Sequence, residues 1–271
     1  MSERWDWKLI VSASLFCALA FNLTFFAQEL FLVIPKAMVP GLHVTLYHNN
    51  HNWTGDSPIV PLLQGTGAIA DLLVGLVFAG LLAGAAQRSM TSLPSMTARL
   101  FLFWMAFQGI YQFLSQMVIG TILPQNDMGM ALGYLGFSSG AKWATGLLVL
   151  VAMIGAGIWL MRMAIALIAT SHETMRGIAR LGFIFRTVTV PALLSVVVLI
   201  PFREPRNIVE VALIPMIVTV CGVLWIQLSA GFSPVSAQPT RPAPSIIVPL
   251  GALLLVLAFF QIVLRPGIAF S

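Results

Sequence analysis

Long apolar runs separated by short polar joints repeat along this chain from one end to the other. Seven runs reach the roughly 20 residues that crossing a bilayer requires: 9–34, 60–85, 100–123, about 138–161, 183–202, 207–230 and 245–264. Pro35 and Pro40 are expected to close the first run and Pro124 the third, while Pro201 and Pro205 bracket a tight turn between the fifth and sixth. The pattern predicts an all-α, polytopic helical membrane protein with about seven transmembrane helices, within a range of six to eight. It divides into three parts. Residues 1–130 carry three spans and an outer loop, 35–59. Residues 131–232 carry spans four to six and an inner connection, 162–182. Residues 233–271 carry a Pro/Ser-rich linker, SPVSAQPTRPAPS at 233–245, and the last span.

Composition agrees with the pattern. Only 8% of residues are charged and 59% are apolar, against about 25% charged in a soluble domain. A chain this poor in charge cannot coat itself for water, so the lipid bilayer is its first partner. The net charge of +5 rests on few residues. Their position matters more than their sum, and nucleic acid is not an expected partner. With the N-terminus inside, the inner side receives Arg4, Lys8, Arg88, Arg99, Arg162, Arg176, Arg180, Arg186 and Arg241, which is nine. The outer side receives Lys36, Arg203, Arg206 and Arg265, which is four, and Lys142 is left within a span. The imbalance predicts an N-in, C-out multi-pass protein of the cell (inner) membrane, with loop 35–59 on the outer or periplasmic side.

Smaller features fill in the frame. MSERWDWK before the first run lacks an A-x-A cleavage pattern, so the first span is read as uncleaved. Cys17 and Cys221 both fall in apolar runs and read as buried small hydrophobes. Arg176 and Arg180, four apart among apolar residues, suggest a short amphipathic helix in 162–182 at the inner interface, with His172 on its polar face.

Polar residues inside a span are costly and turn toward the bundle interior. Gln108, Gln112 and Gln116 form one helical stripe in span three. Asp71 follows Gln64 by seven residues in span two, and Glu29 follows Asn22 by seven in span one, with Gln28 beside it. Counted from the outer ends, Asn22, Asp71 and Gln112 lie roughly 17 Å deep, near mid-membrane. Spans one to three can thus share an intramembrane polar layer of Asn22, Gln28, Asp71, Gln108, Gln112 and Gln116, with Lys142 of the fourth span counted beside it. Helix-joining hydrogen bonds and a functional cavity are both consistent with it. Lys142 is the nearest cation to pair with the carboxylates, or it snorkels outward.

The outer loop holds three of the four histidines, in LHVTLYHNNHNWTGD at 42–56. His43, His48, His51 and Asp56 supply enough nitrogen and oxygen ligands for Zn or Cu. The Asn49–Asn50 pair favours a turn, and the same residues read as a solvated loop anchored by Tyr47 and Trp53.

Three segments carry a family resemblance. FFAQELFLVIPKA (25–37), LLQGTGAIADLLVGLVF (62–78) and FQGIYQFLSQMVIGTILPQNDMG (107–129) together resemble the core of the site-2-protease class of intramembrane metalloproteases, over about 120 of 271 residues. The resemblance makes 1–130 a protease-like core, with Glu29 at the catalytic glutamate and Asp127 at the ligand aspartate. The two ligand histidines of the family's H-E-x-x-H helix are Gln28 and Leu32 here. Zinc hydrolysis needs three protein ligands and an open position, and this place does not supply them. A fold retained without catalysis is therefore expected, with the histidines facing water or a partner rather than Glu29 or Asp127.

The expected function is that of a non-catalytic accessory or binding subunit in a larger membrane assembly, with other membrane subunits as partners. Two alternatives stand beside it. One is a metal-dependent intramembrane enzyme using the outer histidines with Glu29 or Asp127. The other is a small proton-coupled transporter through Asp71, Glu29 and Gln112.

Overall fold

The structure is a computed structural model that describes residues 5–87, 94–168, 174–175, 177–203, 213–231, 235–236 and 243–270. Helix α1 (Trp7–Ala37) is capped by Asp6, whose side chain accepts from the Leu9 amide at 3.1 Å. It is followed by strands β1 (His43–Leu46) and β2 (His51–Thr54), a one-turn helix α2 (Val60–Leu63) and α3 (Thr66–Ala86). Then come α4 (Met96–Ile122), α5 (Asp127–Tyr134) and α6 (Ser139–Ile168). Beyond them lie β3 (Thr174–Met175), α7 (Gly177–Ile184), a π-helical turn (Phe185–Thr189) and α8 (Val190–Leu199), closed by a 3-10 turn (Ile200–Phe202). Helix α9 (Ile214–Ser229), β4 (Val235–Ser236), α10 (Ile247–Phe259), a π turn (Phe260–Leu264) and β5 (Ile268–Phe270) complete the described chain.

Five helical segments are long and apolar enough to cross a membrane: Trp7–Ala37, Val60–Ala86, Ser139–Ile168, Gly177–Phe202 and Ile247–Leu264. Their outer faces stay apolar, as Leu73 and Val77 on α3, Leu148 and Val151 on α6, and Leu255 and Ile262 near the C-terminus show. The other two expected spans differ for separate reasons. Helix α4 is long enough, but its glutamine stripe makes it less apolar, and it is packed inside the bundle rather than on its rim. Helix α9 is described only over 16 residues.

Helix α4 is the hub of the core. Phe103, Trp104, Phe107 and Tyr111 are fully buried along it. The Tyr111 hydroxyl donates to the Met153 carbonyl of α6 at 2.9 Å. A Cβ at Gly222 would stand 2.8 Å from the Tyr111 ring, so the glycine lets α9 close onto α4.

Several boundaries differ from expectation. Pro35 does not end α1; the helix runs on to Ala37. A proline in a helix removes the N–H that would bond the carbonyl four residues back, here that of Phe31. The Thr66 hydroxyl at the start of α3 donates to that carbonyl instead. Residues 162–168 continue α6 and 177–184 open the next helix, so no separate amphipathic helix is described across 162–182. Arg180 is buried and its Nε donates to the Ala230 carbonyl, while His172 and Arg176 lie outside the described residues. Cys17 is buried as expected; Cys221 is exposed.

The loop after α1 folds as a β-hairpin. Tyr47 N–H donates to the Asn50 carbonyl at 2.8 Å across the Asn-rich turn. β5, more than 200 residues away, pairs antiparallel on the other side of β1, giving the order β2-β1-β5. Beneath the sheet, Val44 and Leu46 pack with Val33 of α1 and with Phe260 and Leu264. That small apolar core fixes the hairpin against the ends of α1 and α10, and with it the inward face of β2.

Candidate functional site: a polar cavity under the hairpin

Pleat geometry decides which hairpin side chains turn inward. Directly opposed residues of an antiparallel pair share a face. Leu46 opposes His51 and Val44 opposes Trp53. Since Val44 and Leu46 are buried in the small core, His51 and Trp53 also point in. His43 opposes Thr54 on the other face, and both are exposed.

His51 lands on α1. Its Nδ1 lies 2.8 Å from Glu29 Oε2, and its Nε2 lies 2.6 Å from Lys36 Nζ. Glu29 and Lys36 are seven residues apart, two turns along one helical face. Lys36 is 0% exposed and also donates to Gln64 Oε1. An ammonium only donates, so His51 Nε2 accepts and Nδ1–H donates to the Glu29 carboxylate. The result is a chain of alternating donors and acceptors, Gln64–Lys36–His51–Glu29, with a carboxylate at one end and an amide at the other. Trp53 covers it. Its ring stacks on His51 with centroids 5.6 Å apart, and Lys36 Nζ sits 4.6 Å from its centroid.

A second buried cation stands close by. Arg203, in the turn after α8, is 1% exposed and lies over Phe25, 3.8 Å from the ring centroid, and Phe21 at 5.2 Å. Burial pushes its guanidinium down to about 10, with the Glu29 charge opposing the shift. It stays cationic at neutral pH.

Beside this chain opens a cavity of about 560 Å³. Glu29, His51, Trp53 and Asp127 face it, with amides from Gln28, Asn49, Asn50, Gln112 and Gln116. Asp127 reaches it as the first residue of α5, whose N-cap Asn126 accepts from the Met128 amide at 3.2 Å.

Deeper in, the Gln116 amide donates to Asp71 Oδ2 at 2.6 Å and to Gln28 Oε1 at 3.2 Å, tying α4 to α3 and α1. Gln108 accepts from Gln112 and from Thr219 of α9, each at 3.3 Å, and its amide points at Cys17. Asn22 stands apart, donating back to the Ala18 carbonyl of its own helix at 2.9 Å. Lys142 does not join this layer. It is half-buried in the first turn of α6, beside Gly133. The buried cation that the layer does hold, Lys36, sits in what the sequence pattern assigns to the outer loop.

The residues suggested for a metal are not brought together. His51 pairs with Glu29 and Lys36, His48 is buried at the turn, and His43 and Asp56 are exposed elsewhere on the hairpin. Among the described residues no group of three or more His, Cys, Asp and Glu side chains is placed to hold a metal ion. Gln28 is engaged by Gln116, and Leu32, 1% exposed, packs against the site of Gly67, where a Cβ would come within 2.9 Å of its Cγ.

No protein-family model, no curated protein and no solved structure matches this chain.

Proposed function

We propose that this chain is a non-catalytic binding subunit of a larger assembly in the cell (inner) membrane, and that its cavity under the hairpin receives a ligand or a segment of a partner. The observation that carries this reading is the commitment of Glu29. A catalytic carboxylate must reach the reacting group or an activated water. Here its Oε2 is already held by His51, which is itself held by the buried Lys36, so the carboxylate can hold a ligand with its other oxygen but is not a free base poised to activate water. The cavity beside it is walled largely by amides, which recognise by hydrogen bonding and do not attack. In the site-2-protease-like reading of the first three spans, the positions of the two zinc-binding histidines are filled by an amide engaged with Gln116 and by a packed leucine. The chain is then a pseudoprotease-like scaffold.

Extraction in a mild detergent is expected to recover the chain with a membrane partner at fixed stoichiometry, read by native mass spectrometry. An isolated monomer that turns over a peptide or lipid, and loses that activity in Glu29→Gln, overturns the reading.

The topology we infer is N-in and C-out, with seven crossings once α4 and α9 are counted, and with the hairpin outside. The nine-to-four distribution of basic residues supports it. A single cysteine at Thr54, with Cys17 and Cys221 replaced by alanine, is expected to react with a membrane-impermeant maleimide in intact spheroplasts. Labelling only after permeabilisation reverses the orientation.

A further inference from the structure

The wall of the cavity has a chemical bias. Two carboxyl side chains face it, Glu29 and Asp127. Asn49, also in the wall, is 0% exposed. Its Nδ2 donates to the Arg203 carbonyl at 3.2 Å, which fixes the amide, and its Oδ1 has no hydrogen-bond partner. Asn50, the next wall residue, likewise has a buried Oδ1 without a partner. A buried acceptor left unpaired costs free energy until a donor meets it. The wall thus asks for donors.

The cations of the neighbourhood stand behind the wall rather than in it. The Lys36 ammonium is spent on His51, Gln64 and the face of Trp53. The Arg203 guanidinium lies over Phe25 and Phe21. Neither side chain lines the cavity. They offset the carboxylates from behind, so that the wall itself carries the two carboxylates without either cation. The glutamine amides Gln28, Gln112 and Gln116 contribute both senses, but Gln28 and Gln116 already bond each other, and Gln112 donates to Gln108.

Asn52, Gln64, Ser115, Gln125 and Asn126 complete the polar part of the wall, and the rest is apolar. Ile119 and Leu123 of α4, with Ile214 and Val218 of α9, face the same space, and the cavity is partly open. A ligand that suits it carries a compact donor-only group at one end and hydrocarbon at the other.

We propose that the cavity binds the primary ammonium group of an amphiphile, with the ammonium among Glu29, Asp127 and the Asn49 and Asn50 carbonyls and the alkyl part against Ile119, Leu123, Ile214 and Val218. An ammonium carries three donors and no acceptor, and charge-assisted bonds to carboxylates are the strong ones. An anionic head would meet the two carboxylates, and a neutral alcohol would bring one donor and no charge. The same head group exists on free alkylamines and on aminophospholipids. The inference deepens the binding reading of this cavity and rests on it.

The test uses the full chain in phosphatidylcholine nanodiscs, with octylamine as probe and Trp53 fluorescence as signal. Trp53→Phe serves as the blank for the other tryptophans. A saturable change with octylamine is expected, and none with octanol at the same concentrations. Glu29→Gln and Asp127→Asn are each expected to weaken binding about tenfold or more, as loss of a charge-assisted bond implies. Tyr134→Phe, outside the cavity, is expected to bind as wild type. Equal response to octanol overturns the proposal. So does wild-type affinity in Asp127→Asn, whatever Glu29→Gln does to folding.

Replacing half of the phosphatidylcholine by phosphatidylethanolamine then separates the sources. A several-fold fall in apparent octylamine affinity assigns the site to the lipid head group; unchanged affinity assigns it to a free amine. Partner recovery is read on a different sample. Failure of amine binding with a stoichiometric partner present discards the ligand class and keeps the subunit reading, and the converse outcome does the reverse.

Discussion

Replacing Lys36 with methionine is expected to destabilise the chain by about 3–5 kcal/mol, the loss of two hydrogen bonds from a charged donor at about 1.5–3 kcal/mol each. Lys36 is 0% exposed, and its Nζ is the common partner of His51 and Gln64. Methionine matches its length and leaves both acceptors without a donor. It also removes the cation that stands behind the buried Glu29–His51 pair. Glu29→Gln is expected to cost less, because the amide can still accept from His51. The double variant should fall short of the sum of the singles by about 1–3 kcal/mol, as members of one network do. Thermal unfolding in nanodiscs reads all three. Lys142→Met, half-buried and away from the site, is the control and should stay within about 0.5 kcal/mol. A loss below about 1 kcal/mol in Lys36→Met would mean that the four-member chain contributes little to holding the hairpin down.

How much of this could be read from the sequence depends on how far apart the partners lie. The helices were legible because each buries or exposes a continuous apolar run, and those runs survive in the five long segments. The hairpin left a short period-two signal, Val44 and Leu46 against Thr45, that polar neighbours obscured. Its third strand could not be read at all, since Ile268–Phe270 pairs across more than 200 residues. The glutamine stripe of α4 was visible as spacing, but its partners, Asp71 and Gln28, are fixed by helix packing. Lys36 illustrates the limit most clearly. A lysine just after an apolar run, next to a proline, reads as a charge at the membrane surface. It is buried because α1 continues through Pro35 and because β2 folds back over it. Those facts follow from Thr66 capping the Phe31 carbonyl and from the apolar core beneath the sheet, which no local pattern encodes. The same fold-back carries His51 inward to Glu29, whereas the missing ligands at Gln28 and Leu32 predict loop histidines that face water or a partner.

The second large effect is expected from Gly109→Ala, through backbone packing rather than charge. Helices α3 and α4 touch at Gly75 and Gly109. A Cβ at Gly109 would stand 2.5 Å from the Gly75 Cα and 2.8 Å from the Asp71 carbonyl oxygen, and one at Gly75 would stand 2.7 Å from the Ile110 nitrogen. These neighbours are backbone, which cannot rotate away, so the helices must part. Small residues permit such close approach in membrane bundles, and overpacking of this kind costs about 1–3 kcal/mol. The upper end is expected here because the strain is shared by both backbones. Parting them also bears on the site. Asp71 is one turn before Gly75, and Gln116 is two turns beyond Gly109, so widening the seam pulls on the 2.6 Å bond between them. Asp71→Ala should therefore cost about 1–3 kcal/mol in the wild-type chain, because it leaves the Gln116 amide without its acceptor, and close to nothing in Gly109→Ala. Gly80→Ala on the same helix meets nothing within 4 Å and should instead stabilise α3 by about 0.5–1 kcal/mol. Strict additivity of Gly109→Ala and Asp71→Ala would show that the polar layer is held by something other than the glycine seam.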